Sequence, residues 1–504
     1  MSNHLYDLLI GARSDEDKTF IDVPGGRTIS FRQLHAEAGQ VASALAAMGV
    51  EPGDRVAVQA EKSAEAVALY LGVVRAGAIF LPLNTAYTPS EIDYFVGNAR
   101  PRVFVGDPSK AEALRPIAEK HGARLETLAG DGSGTLWQAV GTASPDFAAV
   151  PRGEDDLAAI LYTSGTTGRS KGAMLSHRNL SSNAEVLKDY WRFTADDVLL
   201  HALPIYHSHG LFVAINVSLL AGATMIFFAK FEAEAMVREM PRATTMMGVP
   251  TFYTRLLSTP SFTREVAGPM RLFISGSAPL LAETHKQFSD LTGHAILERY
   301  GMTETNMNSS NPYDGDRRGG TVGFPLPGVE LRVASPDTGE VLGAGEIGVI
   351  EVKGPNVFSG YWQMPEKTAE EFRADGFFIT GDLGKIDEDG YVTIVGRGKD
   401  LVISGGFNVY PKEIEEKIDD LPGVLESAVI GVPHADFGEG VTAVVVRDGS
   451  RDLTEDDIAG PIRESLAAFK RPKKIIFVDE LPRNTMGKVQ KNVLRDTYRD
   501  IYGA

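Results

Sequence analysis

The chain has 504 residues, of which 43% are hydrophobic and 23% charged, and its formal net charge is −17. A single hydrophobic core rarely serves a chain of this length, so we expect at least two domains. The negative charge argues against a nucleic acid partner, which would require dense Lys and Arg surfaces. The chain has no cysteine, which excludes disulfides, thiolate zinc sites and a cysteine nucleophile. Any thiol in its chemistry must therefore come from another molecule.

Two features bear on cellular location. The first residues, Met1 to Leu5, lack the basic and apolar regions of a signal peptide. No charged residue lies between His201 and Lys230, and this stretch is long enough to be considered as a membrane span. Because Gly222 divides it into two short halves, we interpret it as a buried helix followed by a buried strand. We expect a cytoplasmic protein without membrane contact.

The first third of the chain alternates short apolar runs with amphipathic segments. Apolar spacing predicts helices at 34–48 and 64–74, and strands at 55–60, 79–81 and 103–105. The sequence Thr88-Pro89-Ser90-Glu91 has the signature of a helix start. Strands alternating with helices predict an α/β fold with a mainly parallel sheet. Residues 129–155 are expected to form a loop-rich bridge.

A glycine- and hydroxyl-rich loop runs from Thr163 to Gly172, between predicted strands at 157–161 and 173–175. Glycine lets successive backbone N–H groups turn inward, and Ser and Thr add donors, so we predict a phosphate-binding loop. Lys171 would add a full positive charge. Because Gly172 stands where a Walker P-loop has Ser or Thr, the loop is of another kind.

The second half continues the α/β pattern and then changes. We predict a helix at 179–190 and strands at 244–249, 272–275 and 295–297. From about Gly328, predicted strands at 329–334, 347–353 and 392–395 indicate an antiparallel sheet or a small barrel. After a polar junction at 396–400, a compact α+β unit should contain helices at 411–418 and 456–469 and strands at 427–432, 441–446 and 474–478. Seven Lys and Arg residues between Lys470 and Lys491 form either a solvated face or a polyanion site, and the last motif described below favours the polyanion site.

Five further motifs follow the loop in order: Ser275-Gly276-Ser277-Ala278-Pro279-Leu280, Tyr300-Gly301-Met302-Thr303-Glu304-Thr305, Thr380-Gly381-Asp382, Gly396-Arg397-Gly398-Lys399-Asp400 and Pro482-Arg483-Asn484-Thr485-Met486-Gly487-Lys488. With the loop, they resemble the adenylate-forming superfamily, which contains acyl-CoA synthetases, aryl-CoA ligases, peptide-synthetase adenylation domains and beetle luciferase. The resemblance implies a large N-terminal ATP- and acyl-binding domain (1–396) of α/β sheets with a small β-barrel-like subdomain. A hinge (397–400) and a smaller mobile C-terminal α+β domain (401–504) would follow.

The resemblance also implies a two-step reaction and a role for each motif. A carboxylate would attack the α-phosphate of ATP to give an acyl-adenylate and pyrophosphate, and the thiol of coenzyme A would then displace AMP. The implied phosphate cradle consists of Thr163, Ser164, Gly165, Thr166, Thr167, Gly168 and Lys171. The adenine pocket would comprise Gly276, Ser277, Ala278, Tyr300 and Gly301, with Asp382 and Arg397 at the ribose. Thr303 would contact the α-phosphate and Glu304 the Mg²⁺, which suits oxygen ligands.

Two lysines are implied to work from the mobile domain and its hinge. Lys488 resembles the lysine that stabilises charge where the carboxylate meets the α-phosphate. Lys399 resembles the hinge position, where a few residues absorb the change in backbone angles. Acetylation of Lys488 would remove its charge and switch off the first step, so a lysine acetyltransferase and a deacetylase are expected partners.

Arg299 indicates the class of acid. It directly precedes the Tyr300 motif, where relatives that activate uncharged acyl groups commonly carry a neutral residue. A buried, unpaired arginine is costly and needs an anion, which a second substrate carboxylate would supply. With His207 and Ser277 as polar lining, the site resembles that of malonyl-CoA synthetases, so malonate or methylmalonate is expected. Alternatively, Arg299 pairs with a neighbouring glutamate and never meets substrate. His207 and His209, two residues apart without a third ligand, are interpreted as pocket lining rather than as a metal pair.

Other functions share some of these motifs. A short-chain fatty-acid or aryl-acid CoA ligase would have every nucleotide motif, and only the acid would differ. A peptide-synthetase-type adenylation domain would load a carrier thiol. A non-catalytic AMP sensor is the alternative that is not an enzyme, and Glu304, Asp382 and Lys488 argue against it.

Overall fold

The computed structural model describes residues 3–163, 170–336, 338–404, 407–434, 436–484 and 487–503. The strands in these ranges are β1 (Thr19–Asp22), β2 (Thr28–Ser30), β3 (Arg55–Gln59), β4 (Ile79–Pro82), β5 (Val103–Gly106), β6 (Arg124–Thr127), β7 (Leu157–Thr163), β8 (Lys171–Ser176), β9 (Val198–His201), β10 (Thr224–Phe227), β11 (Thr245–Gly248), β12 (Leu272–Ser275), β13 (Leu297–Met302), β14 (Asn306–Ser310), β15 (Phe324–Pro325), β16 (Glu330–Ala334), β17 (Gly348–Lys353), β18 (Phe378–Ile386), β19 (Val392–Arg397), β20 (Val402–Ser404), β21 (Phe407–Val409), β22 (Val424–His434), β23 (Gly438–Arg447) and β24 (Lys474–Val478).

The α-helices in the same ranges are α1 (His4–Leu9), α2 (Phe31–Ala47), α3 (Ala64–Arg75), α4 (Pro89–Ala99), α5 (Ala111–Lys120), α6 (Thr135–Thr142), α7 (His177–Tyr190), α8 (Asn216–Ala221), α9 (Ala233–Glu239), α10 (Pro250–Leu257), α11 (Arg264–Ala267), α12 (Ala282–Thr292), α13 (Pro365–Glu370), α14 (Pro411–Asp419), α15 (Glu455–Ser465) and α16 (Lys491–Thr497). A π-helical segment, His209–Ile215, leads into α8. None of the helices in the part of the chain that the structure describes is long and apolar enough to span a membrane.

The strands form four sheets. One has the order β15-β14-β13-β12-β11-β9-β10-β1-β2 and another β6-β5-β3-β4-β7-β8, and both are mainly parallel. The third, β16-β17-β18-β19, is antiparallel, which is the open-sheet alternative of the prediction rather than a closed barrel. The fourth joins β20–β24. The predicted α/β class, with a large N-terminal part and a smaller C-terminal α+β part, is confirmed.

The two large sheets share one apolar core. Helix α3 is buried at every position, as a helix covered on all sides must be. One cluster contains Phe80 from β4 and Met225 from β10, which belong to different sheets. The helix start at Thr88 is confirmed, because its side chain accepts from the N–H of Glu91 and Pro89 takes the first helical position. Local capping and burial thus agree along this part of the chain.

Several predicted bounds are wrong in a way that matters for the site. The strand predicted at 295–297 is β13, Leu297–Met302, and therefore runs through Arg299 and Tyr300. Strand β18, which carries Asp382, was not predicted, and the expected bridge at 129–155 contains α6. Helix α15 ends at Ser465, before the predicted 469, because Leu466 takes an extended conformation.

Candidate active site

The phosphate loop joins β7 to β8, which pair antiparallel with Thr163 opposite Lys171. This confirms that the loop connects two adjacent strands and brings its ends together. The cradle residues Ser164, Gly165, Thr166, Thr167 and Gly168 lie outside the described residues. Of the predicted cradle, the structure therefore places Thr163 and Lys171.

Lys171 contacts two residues that the sequence did not single out. Its Nζ lies 2.8 Å from Glu371 Oε1 and 4.1 Å from the centre of the Tyr361 ring. The Tyr361 hydroxyl lies 2.6 Å from Glu371 Oε2 and 3.0 Å from Glu304 Oε1. Lys171 and Glu304 are thus connected through Glu371 and Tyr361. Glu371 is one of several acidic residues around α13, so no sequence signal distinguishes it.

Glu304 lies in the turn between β13 and β14 and is 5% exposed. Burial raises the pKa of this carboxyl, while the hydrogen bond from Tyr361 and the charges of Lys171 and Arg397 lower it. Thr303 precedes it in the same turn. This tight hairpin requires Gly301, because a Cβ there would lie 1.9 Å from the Asn306 carbonyl oxygen. The hairpin therefore holds the two predicted polar side chains together.

Tyr300, Asp382 and Arg397 form one hydrogen-bonded group, although β18 and β19 belong to a different sheet from β13. The Tyr300 hydroxyl donates to Asp382 Oδ2 over 2.6 Å, and Arg397 Nε lies 2.7 Å from Asp382 Oδ1. The negative charge of Asp382 is the main reason that the pKa of Arg397 is raised. The structure thus brings together the residues predicted for the adenine and ribose positions.

The Gly276-Ser277-Ala278 segment follows the end of β12 and lies against Arg299. A Cβ on Gly276 would lie 2.4 Å from Arg299 Cζ, so only glycine leaves room for the guanidinium. Ser277 has a φ of 73°, in the left-handed region that non-glycine residues rarely adopt. Its Oγ lies 3.2 Å from His209 Nδ1. The segment predicted to line the nucleotide pocket therefore also borders the predicted acyl site.

Arg299 is 4% exposed, and its Nε and Nη2 have no hydrogen-bond partner. Burial lowers the pKa of the guanidinium to about 9. The alternative is that Arg299 pairs with a neighbouring glutamate. For Glu298, the adjacent residue, this alternative is wrong. Glu298 Oε1 accepts from the Gly320 N–H over 3.1 Å, and adjacent residues of a strand point to opposite faces. A buried guanidinium with free N–H groups is prepared to bind an anion.

Two histidines in this region are neutral and incompletely hydrogen-bonded. Burial lowers the pKa of His207 to about 4, and burial followed by the charge of Arg299 lowers that of His209. The Nε2 atoms of both rings are buried without a partner. No group of three His, Cys, Asp or Glu residues that could hold a metal occurs in the described ranges. The interpretation of both histidines as pocket lining stays a prediction.

Lys488 lies where the C-terminal part meets the large N-terminal part. A Cβ on the preceding Gly487 would lie 3.1 Å from the side chain of Thr251 in α10. Lys488 is exposed as a whole residue, yet desolvation by the surrounding protein, followed by the charge of Arg397, lowers the pKa of its ammonium, while the charge of Asp382 raises it. Lys488 therefore lies within electrostatic range of the residues predicted to hold the ribose.

Two further features of the C-terminal part were predicted: the junction at 396–400 and the basic stretch at 470–491. Lys399 lies in a short 3₁₀ turn, Gly398–Asp400, directly after β19. The seven basic residues between 470 and 491 do not form one free patch: Lys470, Arg483 and Lys491 pair with Glu413, Glu426 and Glu415. The prediction of a polyanion site across this whole stretch is therefore too broad, because nearby acids neutralise part of it.

Comparison with known proteins gives consistent matches over the whole chain. Residues 11–362 match the AMP-binding enzyme family, and residues 413–488 match the AMP-binding enzyme C-terminal domain. The chain is similar to ATP-bound MatB from Rhodopseudomonas palustris, with 65% identity, full coverage of both chains and a TM-score of 0.98. Against the apo form of the same protein the TM-score is 0.87.

More distant relatives are named for different acids. A malonate–CoA ligase from Arabidopsis thaliana is 35% identical over 490 residues, covering 91% of this chain and 80% of that protein. A feruloyl-CoA synthase from an Amycolatopsis species is 36% identical over 476 residues, covering 94% of both. Relatives named for different acids thus have similar identity to this chain.

Proposed function

The chain belongs to the AMP-binding enzyme family, and we propose that it ligates malonate to coenzyme A at the expense of ATP. Malonate attacks the α-phosphate, giving malonyl-AMP and pyrophosphate, and the thiol of coenzyme A then displaces AMP. The observation that carries this proposal is Arg299, a buried guanidinium with two nitrogen atoms, Nε and Nη2, that have no hydrogen-bond partner. The similarity to a malonate–CoA ligase and to MatB supports the same acid.

The second carboxylate of malonate supplies what the acyl site lacks. Each charge-assisted hydrogen bond to it contributes roughly 1.5–3 kcal/mol. The partnerless Nε2 atoms of His207 and His209 can add neutral donors, and Ser277 borders the same space. A monocarboxylate of equal size would leave Arg299 buried and unpaired, which is the costly arrangement. The site therefore distinguishes the distal group by charge, and methylmalonate remains a second expected substrate.

The nucleotide is assigned to the residues around Tyr300. Asp382 keeps lone pairs for the ribose hydroxyls while Tyr300 and Arg397 hold it in place. Thr303 is assigned to the α-phosphate, and Lys171 to the phosphates bound by the loop. Lys488 would neutralise the charge that develops as the carboxylate attacks. The proximity of Asp382 and Arg397 to Lys488 supports this role.

Mg²⁺ fits the oxygen groups near Glu304. A hard cation of this kind takes one or two carboxylates together with water and substrate phosphates. Glu304 is buried, and Tyr361 orients it through a hydrogen bond of 3.0 Å. When bound there, the ion would polarise the phosphates and offset their charge. Glu304 is the residue proposed to hold it.

The remaining assignments concern regulation, motion and location. The hinge at Lys399 is supported by its place in the short turn Gly398–Asp400, directly after β19 ends at Arg397. We place the domain limits at 1–396 and 401–504 on the same grounds. Acetylation of Lys488 and a cytoplasmic location stay predictions. Mass spectrometry of the protein from its cells and cell fractionation test them.

A panel of acids with ATP and coenzyme A tests the proposed function. The panel comprises malonate, methylmalonate, butyrate, a cinnamate and monomethyl malonate, which nearly matches malonate in shape but lacks the second charge. AMP, pyrophosphate and the thioester are measured in each reaction. We expect malonate to give all three in equal amounts and monomethyl malonate to react at least about 30-fold less efficiently. Equal turnover of these two acids would contradict the assignment.

A further inference from the structure

Lys62 is a buried lysine outside the residues assigned so far. It follows β3, just before α3, and is 8% exposed. Its Nζ donates to His201 Nδ1 over 2.8 Å and to the His201 carbonyl oxygen over 2.9 Å. The same atom lies 4.2 Å from the centre of the Phe227 ring. In the described ranges, no carboxylate forms an ion pair with Lys62. A lysine in such surroundings is costly to retain.

The His201 ring connects Lys62 to the backbone next to the acyl site. Its Nε2 lies 2.8 Å from the carbonyl oxygen of Gly210, which can only accept a hydrogen bond. Nε2 therefore carries the hydrogen, and Nδ1 offers the lone pair to which Lys62 donates. Lys62 and Gly210 thus determine the tautomer and the orientation of the His201 ring between them.

The Gly210 carbonyl belongs to the turn that presents His209. His209 is the first residue of the π-helical segment His209–Ile215, and π-helical segments often occur at functional sites. A Cβ on Gly210 would lie 2.1 Å from the Pro204 carbonyl oxygen, so the backbone is closely packed here. His209 in turn contacts Ser277 Oγ over 3.2 Å. An unbroken series of contacts leads from Lys62 to a side chain beside Arg299.

We propose that Lys62 is a positioning residue of the acyl site, acting through His201 on the turn that carries His209. The hydrogen bonds fix the backbone of that turn, and hence the imidazole that faces the second carboxylate of the substrate. This inference rests on the proposed function. The charge state of Lys62 does not matter to it, because a neutral amine also has the two hydrogens needed for His201.

The first test replaces Lys62 by Met, which keeps an unbranched side chain of similar length but donates nothing. We expect the KM for malonate to rise about tenfold, as for the loss of one positioning hydrogen bond, and the KM for ATP to stay within about twofold. Lys18→Met is the matched control, since Lys18 likewise makes two hydrogen bonds, here to the backbone carbonyls of Ala195 and Gly222, away from the acyl site. It should leave both constants unchanged.

The second test separates positioning from general destabilisation. His201→Gln keeps an acceptor for Lys62 and a donor for Gly210, so it should retain a malonate KM near that of the original protein. His201→Leu should reproduce Lys62→Met. The double variant Lys62→Met/His201→Leu should be no worse than either single variant, because both break the same series of contacts.

Three outcomes would overturn the inference. They are an unchanged malonate KM in folded Lys62→Met, a parallel rise of the malonate and ATP constants, and additive losses in the double variant. If Lys62→Met does not fold, a normal malonate KM in His201→Leu overturns it equally. Failure of the proposed function is recognised separately, since the unaltered protein would then form no malonyl thioester at all.

Discussion

Replacing Arg299 by Met should lower activity with malonate without lowering the thermal stability of the ligand-free protein. Burial lowers the pKa of the guanidinium far below its ordinary value, to about 9. A difference of this size corresponds to a penalty on the order of 4–5 kcal/mol for the charged form in the ligand-free protein. Arg299→Met removes that penalty, partly offset by imperfect packing against Gly276. We therefore expect the free variant to melt at the same temperature as the original protein or a higher one.

Activity with malonate should fall sharply in the same variant. Truncating one partner of a buried, hydrogen-bonded charge pair costs about 2–5 kcal/mol, which lowers kcat/KM by about 30-fold to several thousand-fold. Monomethyl malonate, which gains nothing from the charge, should lose little. Steady-state kinetics give kcat/KM for each of the two acids, and thermal melting without ligand gives the melting temperature.

Arg75→Met is the control for this experiment. Arg75 is also buried, but its Nε donates to the Phe147 carbonyl oxygen and its Nη1 to the Tyr6 hydroxyl and the His35 carbonyl oxygen. Its loss should lower the melting temperature and leave the preference for malonate intact. If Arg299→Met behaves like Arg75→Met, losing stability but not malonate selectivity, then Arg299 is a structural residue and the reasoning is refuted.

Three further predictions concern the nucleotide site and its surroundings. Lys488→Ala should slow adenylation by about 10²–10³-fold. The rate of thioester formation from supplied malonyl-AMP should stay within a few-fold of the original rate. Comparable losses in both half-reactions would contradict the role assigned to Lys488. Glu371→Gln should tighten ATP binding about two- to fivefold in a titration without the carboxylic acid substrate. The reason is that the negative charge competing for Lys171 is gone, while the Gln oxygen remains as a hydrogen-bond acceptor. Weaker ATP binding would count against the pairing of Lys171 with Glu371. Glu298→Gln should be as stable as the original protein near pH 5 and more stable near pH 8.5. Burial raises the folded-state pKa of Glu298 to about 8 from 4.5, so the original protein loses stability as the pH rises through that interval, and parallel melting profiles would exclude the effect.

Local sequence signals predicted the parts of the fold that depend on neighbours in the chain. The helix start at Thr88 and the loop between β7 and β8 follow from capping chemistry and apolar spacing. Strand β18 was missed because Gly381 interrupts its apolar pattern, although the glycine only gives the strand a residue with a φ of 72°. Its pairing with β17 and β19 is a long-range contact, which spacing cannot reveal.

The candidate site was predictable where motifs mark it and not where distant residues meet. Tyr300, Asp382 and Arg397 were named from motifs, and the structure joins them by hydrogen bonds. Glu371 is recognisable as a site residue only from its contact with Lys171, which lies 200 positions earlier in the chain. Lys62 was not recognised for the same reason, since its partner His201 lies on another sheet, 139 positions away. Contacts of this kind arise from packing between layers.

The adenylation half-reaction tests the central claim most directly. Exchange of labelled pyrophosphate into ATP, measured without coenzyme A, reports acyl-adenylate formation alone. With the original protein, malonate should support exchange at least about 30-fold more efficiently than monomethyl malonate, and Arg299→Met should largely abolish that difference. Equal exchange with both acids, or a difference that survives in Arg299→Met, would contradict recognition of a second carboxylate by Arg299.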